Sequence, residues 1–247
     1  MSRFTVVIPA RYASTRLPGK PLRLIAGEPM IQHVYRVATR SAADEVWIAT
    51  DDARIEDAAR RFGANVCMTA AEHTSGTERL AEVCEQLRWP DDLVVVNLQG
   101  DEPLMPPSLI DQCAGLLDST SADMATLASE LFSAADYEDP NVAKIVVDAK
   151  DNALYFSRAA IPFSRDKDSL DLARGTSLRH HGIYAYRRHV LATLVAAEPC
   201  AMEECEKLEQ LRALWLGLTL KVGRAAVRPG HGVDTEEDLA KVNAALS

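Results

Sequence analysis

A chain of 247 residues, 47% of them hydrophobic, is long enough to bury a sizeable core; its length fits one large α/β domain as easily as two small ones, and one is expected. Its formal net charge of -9 excludes a general nucleic-acid or anionic-membrane surface, which needs a broad excess of Lys and Arg. The chain runs from Met1-Ser2-Arg3-Phe4 straight into a strand pattern with no signal-like or membrane-spanning stretch, and its cysteines at 67, 84, 113, 200 and 205 form no C-x-x-C pair; the expectation is a cytoplasmic protein without a disulfide framework or a zinc site.

Strand patterns alternate with helical ones through the first half: 4–9 then 30–40, 46–50 then 55–62, 66–69 then 78–87, and 93–98 then 109–117. That rhythm predicts βαβ units and a mainly parallel sheet. In the first helix Met30, Ile31, Val34, Val37 and Ala38 share one face at three- and four-residue spacing. The continuous run Leu93-Val94-Val95-Val96 suits a central strand covered on both sides. The second half has short strand patterns at 125–131, 144–148, 153–156 and 181–186 with few helices between them, so antiparallel additions to the sheet or an arm are expected. Residues 164–176, rich in charge and carrying Gly175, read as a mobile loop. Helices at 189–197 and 203–216, a strand at 219–226 and a helix at 235–246 close the chain.

Loops that follow parallel strands meet at the carboxyl edge of the sheet, where open α/β folds bind ligands. The first such loop gathers Arg11, Ser14, Thr15, Arg16, Gly19 and Lys20 in an acidic chain. Close backbone approach at a glycine, hydroxyls and cations suit a phosphate, though a solvated basic turn has the same composition. The loop matches neither G-x-G-x-x-G nor G-x-x-x-x-G-K-[ST]. Asn97-Leu98-Gln99-Gly100-Asp101-Glu102-Pro103 places a carboxylate after the central strand, either to hold Mg²⁺ against a nucleotide phosphate or as a turn residue. Asp234 precedes the last helix, as a second carboxylate for the same ion or as its N-cap. In His73-Thr74-Ser75-Gly76-Thr77-Glu78-Arg79, backbone and hydroxyl groups could read a base edge, or the stretch is a plain helix start. His180 and His181, adjacent on a strand, point to opposite faces and do not easily share one metal ion. By pattern alone Glu209 and Gln210 are surface residues of a helix whose Leu208, Leu211 and Trp215 pack inward.

Together, IPARYASTRLPGKPL, HTSGTERL, VVNLQGDEP, YFSRAAIPF, RHHGIYAYR, EKLEQLRAL and HGVDT, spread over residues 8–235, resemble the 3-deoxy-manno-octulosonate cytidylyltransferase (CMP-Kdo synthetase) family. The resemblance implies a Rossmann-like nucleotide-diphospho-sugar transferase fold, in one domain over 1–247, and a homodimer paired through the later, antiparallel part. It implies transfer of the cytidylyl group of CTP to 3-deoxy-manno-octulosonate (Kdo) for lipopolysaccharide synthesis, with Mg²⁺. Carried over by position, Arg11, Ser14 and Lys20 resemble the triphosphate contacts, with Arg16 as helper, and Ser75 and Gly76 the nucleoside pocket. Asp101 and Asp234 resemble the magnesium carboxylates, and these two with Lys20 and Arg11 form the catalytic set. Gln99, Arg158, His181, Tyr184, Glu209 and Gln210 resemble the sugar contacts. Two departures stand out: Glu78 stands where the family often has Asp, and residues 164–176 are idiosyncratic in composition. Alternatives are transfer to a related acid sugar, such as 8-amino-Kdo or a sialic acid, and a catalytically silent nucleotide-sugar binding protein on the same fold.

Overall fold

In the computed structural model, which describes residues 3–14, 17–131, 133–166 and 175–246, the chain opens with β1 (Phe4–Ala10), buried along nearly its whole length. A 3₁₀ turn (Lys20–Leu22) and a short hairpin, β2 (Leu24–Ile25) with β3 (Glu28–Pro29), lead into α1 (Met30–Ala38). Then come β4 (Glu45–Thr50), α2 (Ala53–Arg61), β5 (Asn65–Met68), α3 (Gly76–Gln86), β6 (Val94–Asn97) and α4 (Pro107–Asp118). The second half contributes β7 (Met124–Glu130), α5 (Ala134–Glu138), β8 (Lys144–Val147), β9 (Ala153–Ser157) and β10 (Leu178–Arg187). It ends with α6 (Arg188–Ala196), α7 (Ala201–Glu206), α8 (Gln210–Trp215), β11 (Leu220–Arg224) and α9 (Glu236–Leu246).

The main sheet runs in the order β11-β7-β10-β6-β1-β4-β5. Every strand on that path points the same way except β10, which is antiparallel to both β6 and β7. The expected α/β fold with a mainly parallel sheet is therefore present, but the antiparallel element lies inside the sheet. The edge strand β11 is parallel to β7. The β8–β9 pair branches from the start of β10 and makes the arm.

Period-two alternation decides which helices lie on which face. Val6, Ile8 and Val96 belong to one core with Ile31, Val34, Leu109, Ile110 and Val242, from α1, α4 and α9. Val7 and Val95 face the other way, into a core with Leu80, Val83, Val190 and Leu211, from α3, α6 and α8. Each fully buried Ile or Leu contributes about 1.5–3 kcal/mol by leaving water, so the strongly apolar central strands anchor both layers.

Three local expectations are corrected. The helix expected over 203–216 is two helices, because Lys207 adopts a left-handed conformation (φ 54°) that ends α7 and redirects the chain before Glu209. The last strand of the arm region is longer than 181–186 and is bulged between His181 and Tyr184, so the alternation of side chains shifts there. The β2–β3 hairpin and α5 were not expected; each is too short to show a period in sequence. Of the loop at 164–176, residues 167–174 lie outside the described residues.

Candidate active site

The carboxyl ends of β1 and β6 and the start of α3 open onto one cleft of about 300 Å³, which the loop before α9 also reaches. The loop after β1 is shaped by Gly19, whose φ of 65° would strain other residues and above which the Tyr12 ring would lie 3.1 Å from any Cβ. The turn that follows aims Lys20 into the cleft. Across from it, Gly100 lets the loop after β6 pass against β1: a Cβ there would lie 2.8 Å from the Pro9 carbonyl oxygen.

Lys20 is the centre of the arrangement. Its Nζ donates to Asp101 Oδ2 at 2.6 Å and to Asp234 Oδ1 at 2.9 Å, with only 13% of its side chain exposed. Burial pulls this ammonium down, but Asp101 and then Asp234 outweigh it and hold the group above its ordinary value. Lys20 therefore stays charged at neutral pH. The carboxylates, far apart in sequence, are brought together by a backbone bond from Val233 N to Asp101 O at 2.8 Å.

The helix-cap alternative for Asp234 does not describe the structure. Thr235 Oγ1 accepts from Asp238 N at 3.2 Å, and the Asp238 carboxylate accepts from the backbone of Asp234 and Thr235. Thr235 and Asp238 thus cap α9 reciprocally, and the Asp234 carboxylate turns to Lys20. Two carboxylate oxygens converging on one point cation are a hard-oxygen donor pair. They fit Mg²⁺, which takes one or two carboxylates and draws its remaining ligands from phosphate and water. Glu102, beside them, has its pKa pushed up to about 8, by burial first and then by the charges of Asp101 and Asp234.

Arg11, Ser14, Ser75 and Gly76, expected at the nucleotide, line the same cleft, and so does Gln99, expected at the sugar. Ser75 is the N-cap of α3 in a capping box with Glu78, so the Glu that departs from the family pattern still performs the cap. Arg16 lies outside the described residues. The cleft also includes His73 and Arg79, which stood in the HTSGTER motif without an assigned role. Their signal was spacing: Arg79, three residues after Gly76, falls on the same helix face.

The other residues expected around the sugar are not gathered in this cleft. His181 opens onto a neighbouring cavity of about 580 Å³ that also meets Glu102, Arg179, Arg224, Arg228 and His231. Its Nε2 lies 3.0 Å from Ser129 Oγ, while His180 Nε2 lies 3.2 Å from Thr126 Oγ1 on the adjacent strand. Burial pushes the two imidazoles down to about 3 for His180 and about 4 for His181, so both are neutral at pH 7. Tyr184 is buried, its ring packed on His180 and Tyr186. Arg158 Nε donates to Glu206 O at 2.8 Å and Nη1 to Pro140 O at 3.0 Å. Glu209 is not a surface residue: burial raises its carboxyl, partly countered by the hydroxyls of Thr77 and Ser75, which tie it to the start of α3. Gln210 is 8% exposed, and among the described residues its Nε2 has no hydrogen-bonding partner. Among the described residues no group of three or more His, Cys, Asp and Glu is placed to hold a metal.

A family profile described as cytidylyltransferase matches residues 5–221. The 3-deoxy-manno-octulosonate cytidylyltransferase of Aliivibrio fischeri is 54% identical over 99% of both chains. That of Halorhodospira halophila is 53% identical over 97% of this chain and 95% of its own. A solved CMP:2-keto-3-deoxy-manno-octonic acid synthetase, in complex with CTP, superposes with a TM-score of 0.91 at 43% identity, covering 99% of this chain and 98% of that one.

Proposed function

The chain belongs to the 3-deoxy-manno-octulosonate cytidylyltransferase family, and from that premise we propose that it activates Kdo with CTP. The anomeric hydroxyl of Kdo attacks the α-phosphorus of CTP. A new O–P bond forms, the α–β phosphoanhydride breaks, pyrophosphate leaves and the hydroxyl proton passes to solvent. The observation that carries this reading is the cluster of Lys20, Asp101 and Asp234 in a cleft shared with Arg11, Ser14, Ser75 and Gly76.

Each residue then has a physical task. Lys20 exchanges its carboxylate partners for phosphate oxygens as the nucleotide enters, bringing a charge that needs no titration. Arg11 adds a second cation for the leaving pyrophosphate, and Ser14 a hydroxyl. Donors aimed at charge that grows in the transition state are typically worth about 2.7–4 kcal/mol each. Mg²⁺, held by Asp101 and Asp234, would stabilise charge at the α-phosphate. Ser75 and Gly76, at the positive end of α3, hold the nucleoside side of CTP. Gln99, in the same cleft, and then His181, Tyr184, Arg158, Glu209 and Gln210 orient the sugar acid.

We take residues 1–247 as one domain, since β10 of the second half lies between β6 and β7. A homodimer through the second half suits the exposed apolar side chains Leu154, Phe163 and Trp215 found there. No helix among the described residues is long and apolar enough to cross a membrane. A cytoplasmic place, where CTP is made, and a product used in lipopolysaccharide synthesis complete the reading. The test is pyrophosphate release from CTP, UTP, ATP and GTP with Kdo, 8-amino-Kdo and a sialic acid. CTP with Kdo should dominate; no release with any pair overturns the assignment.

A further inference from the structure

Lys144 is a buried charge that neither the core nor the proposed chemistry accounts for. It opens β8, directly opposite Ser157 at the end of β9, and is 0% exposed. A buried ammonium is costly unless it is hydrogen-bonded. Its Nζ donates to two main-chain carbonyls, Asp139 O at 2.7 Å and Arg158 O at 2.6 Å, and among the described residues it forms no salt bridge. An apolar side chain of similar length would fill the space without that cost, so what the ammonium adds is its hold on these carbonyls. Glu206, the last residue of α7, holds the same turn from the other side. Its Oε1 accepts from Ser157 Oγ at 2.5 Å and its Oε2 from Arg158 N at 2.9 Å, while its carbonyl accepts from Arg158 Nε at 2.8 Å. Arg158 is therefore held at its N–H by Glu206 and at its C=O by Lys144, and among the described residues its Nη2 makes no hydrogen bond.

Resting on the reading of Arg158, Glu209 and Gln210 as sugar contacts, we propose that Lys144 and Glu206 are positioning residues for the acid sugar, acting through Arg158. Together they fix its main chain, and the bonds of Nε and Nη1 to the carbonyls of Glu206 and Pro140 set the plane of its guanidinium. That leaves Nη2 at a defined angle for a carboxylate oxygen of the sugar, and a charge-assisted bond gains most when its geometry is set in advance. Glu206 has a second effect. It stands just before the left-handed Lys207, after which the chain turns to Glu209 and Gln210, so its bonds join Arg158 to the segment that carries both. The three expected sugar contacts then move as one unit while the site assembles. Neither Lys144 nor Glu206 lines the cleft of Lys20, so the nucleotide end stands apart from this device.

The test compares the two KM values and runs a mutant cycle through Arg158. Lys144→Met and Glu206→Ala should each raise the KM for Kdo about tenfold, the usual cost of a lost charged hydrogen bond, and leave the KM for CTP within about twofold. Added to Arg158→Ala, neither should raise the KM for Kdo further, because the residue they act through is gone. Glu206→Gln, which keeps an acceptor, should recover part of the loss. A role in stability alone would lower the melting temperature and the active fraction, and hence kcat, while sparing both KM values. Should Lys144→Met fail to fold, Ser157→Ala, which removes one bond to Glu206 and keeps both charges, carries the same expectation in milder form. An unchanged KM for Kdo in the folded variants overturns the proposal, as do losses that simply add to that of Arg158→Ala. If the wild type releases pyrophosphate with no sugar, the functional reading falls and takes this proposal with it, an outcome read without any variant.

Discussion

The proposed nucleotide side of the site and the proposed sugar side are built by different means. On the first, the ends of parallel strands β1 and β6 deliver Lys20 and Asp101 to one place, and a single backbone bond adds Asp234. On the second, the expected residues depend on a bulge in β10, a left-handed Lys207 between two helices and a turn after β9 in which Arg158 is tied to main-chain carbonyls. Regular parallel topology fixes where loops meet, so the residues proposed for the triphosphate share one cleft. A site made from irregularities is less gathered: its members lie across two cavities or are turned into the protein. We therefore propose that the triphosphate end is preorganised and the sugar end is assembled on binding.

Substitutions on the preorganised side should be the most damaging. Lys20→Ala is expected to lower kcat by about 10²–10³, the usual cost of losing one donor to a reacting phosphate or carbonyl oxygen, with the melting temperature held within a few degrees. Normal turnover in that variant would remove Lys20 from the chemistry. Asp101→Asn and Asp234→Asn should each abolish most activity and raise the Mg²⁺ requirement. The double variant should lose little more than either single one, because the second ligand of a lost ion contributes little. Thr235→Ala supplies the contrast: it should cost about 1 kcal/mol of stability in urea unfolding while leaving Mg²⁺ dependence unchanged. A reversal of those two results would return the capping role to Asp234.

On the assembled side the effects should be smaller and confined to the sugar. Gln210→Ala and Arg158→Ala are expected to raise KM for Kdo by about 1–3 kcal/mol equivalent, with CTP affinity preserved. If Arg158 serves only its contacts to Glu206 and Pro140, its loss will instead lower the melting temperature and spare KM. The smallest effect concerns pH. His180 and His181 are neutral in the fold, at about 3 and about 4, but titrate near 6.5 when unfolded. The unfolded chain binds more protons between those values, so their contribution is complete above about pH 6.5 and is lost as pH falls through that window. Urea midpoints should decline from pH 6.5 to 4, and His180→Asn should flatten the profile.

How much of this was legible in the sequence follows the same division. The first strands and helices were readable to within a few residues, because βαβ alternation, period-two strands and an amphipathic α1 all agree. Arg11, Ser14, Lys20, Ser75, Gly76, Gln99 and Asp101 sit in contiguous motifs at strand ends, so their convergence could be foreseen. Asp234 remained ambiguous, since a carboxylate before a helix serves as cap or ligand, and only the Thr235–Asp238 pairing decides. Glu209 looked exposed because a break at a lysine carries no glycine signal.

β10 has one more consequence, for the order of assembly. Strands β6 and β7 acquire their shared neighbour only when residues 178–187 arrive, long after both have been synthesised. Until then a growing chain carries the open edge of the Val94-Val95-Val96 run in β6 and a β7 with neither of its neighbours, both exposed to mispairing with other chains. Closing the sheet also requires contacts of large sequence separation, which slow folding. A fragment ending before β10 is therefore expected to aggregate, whatever the quality of its nucleotide cleft.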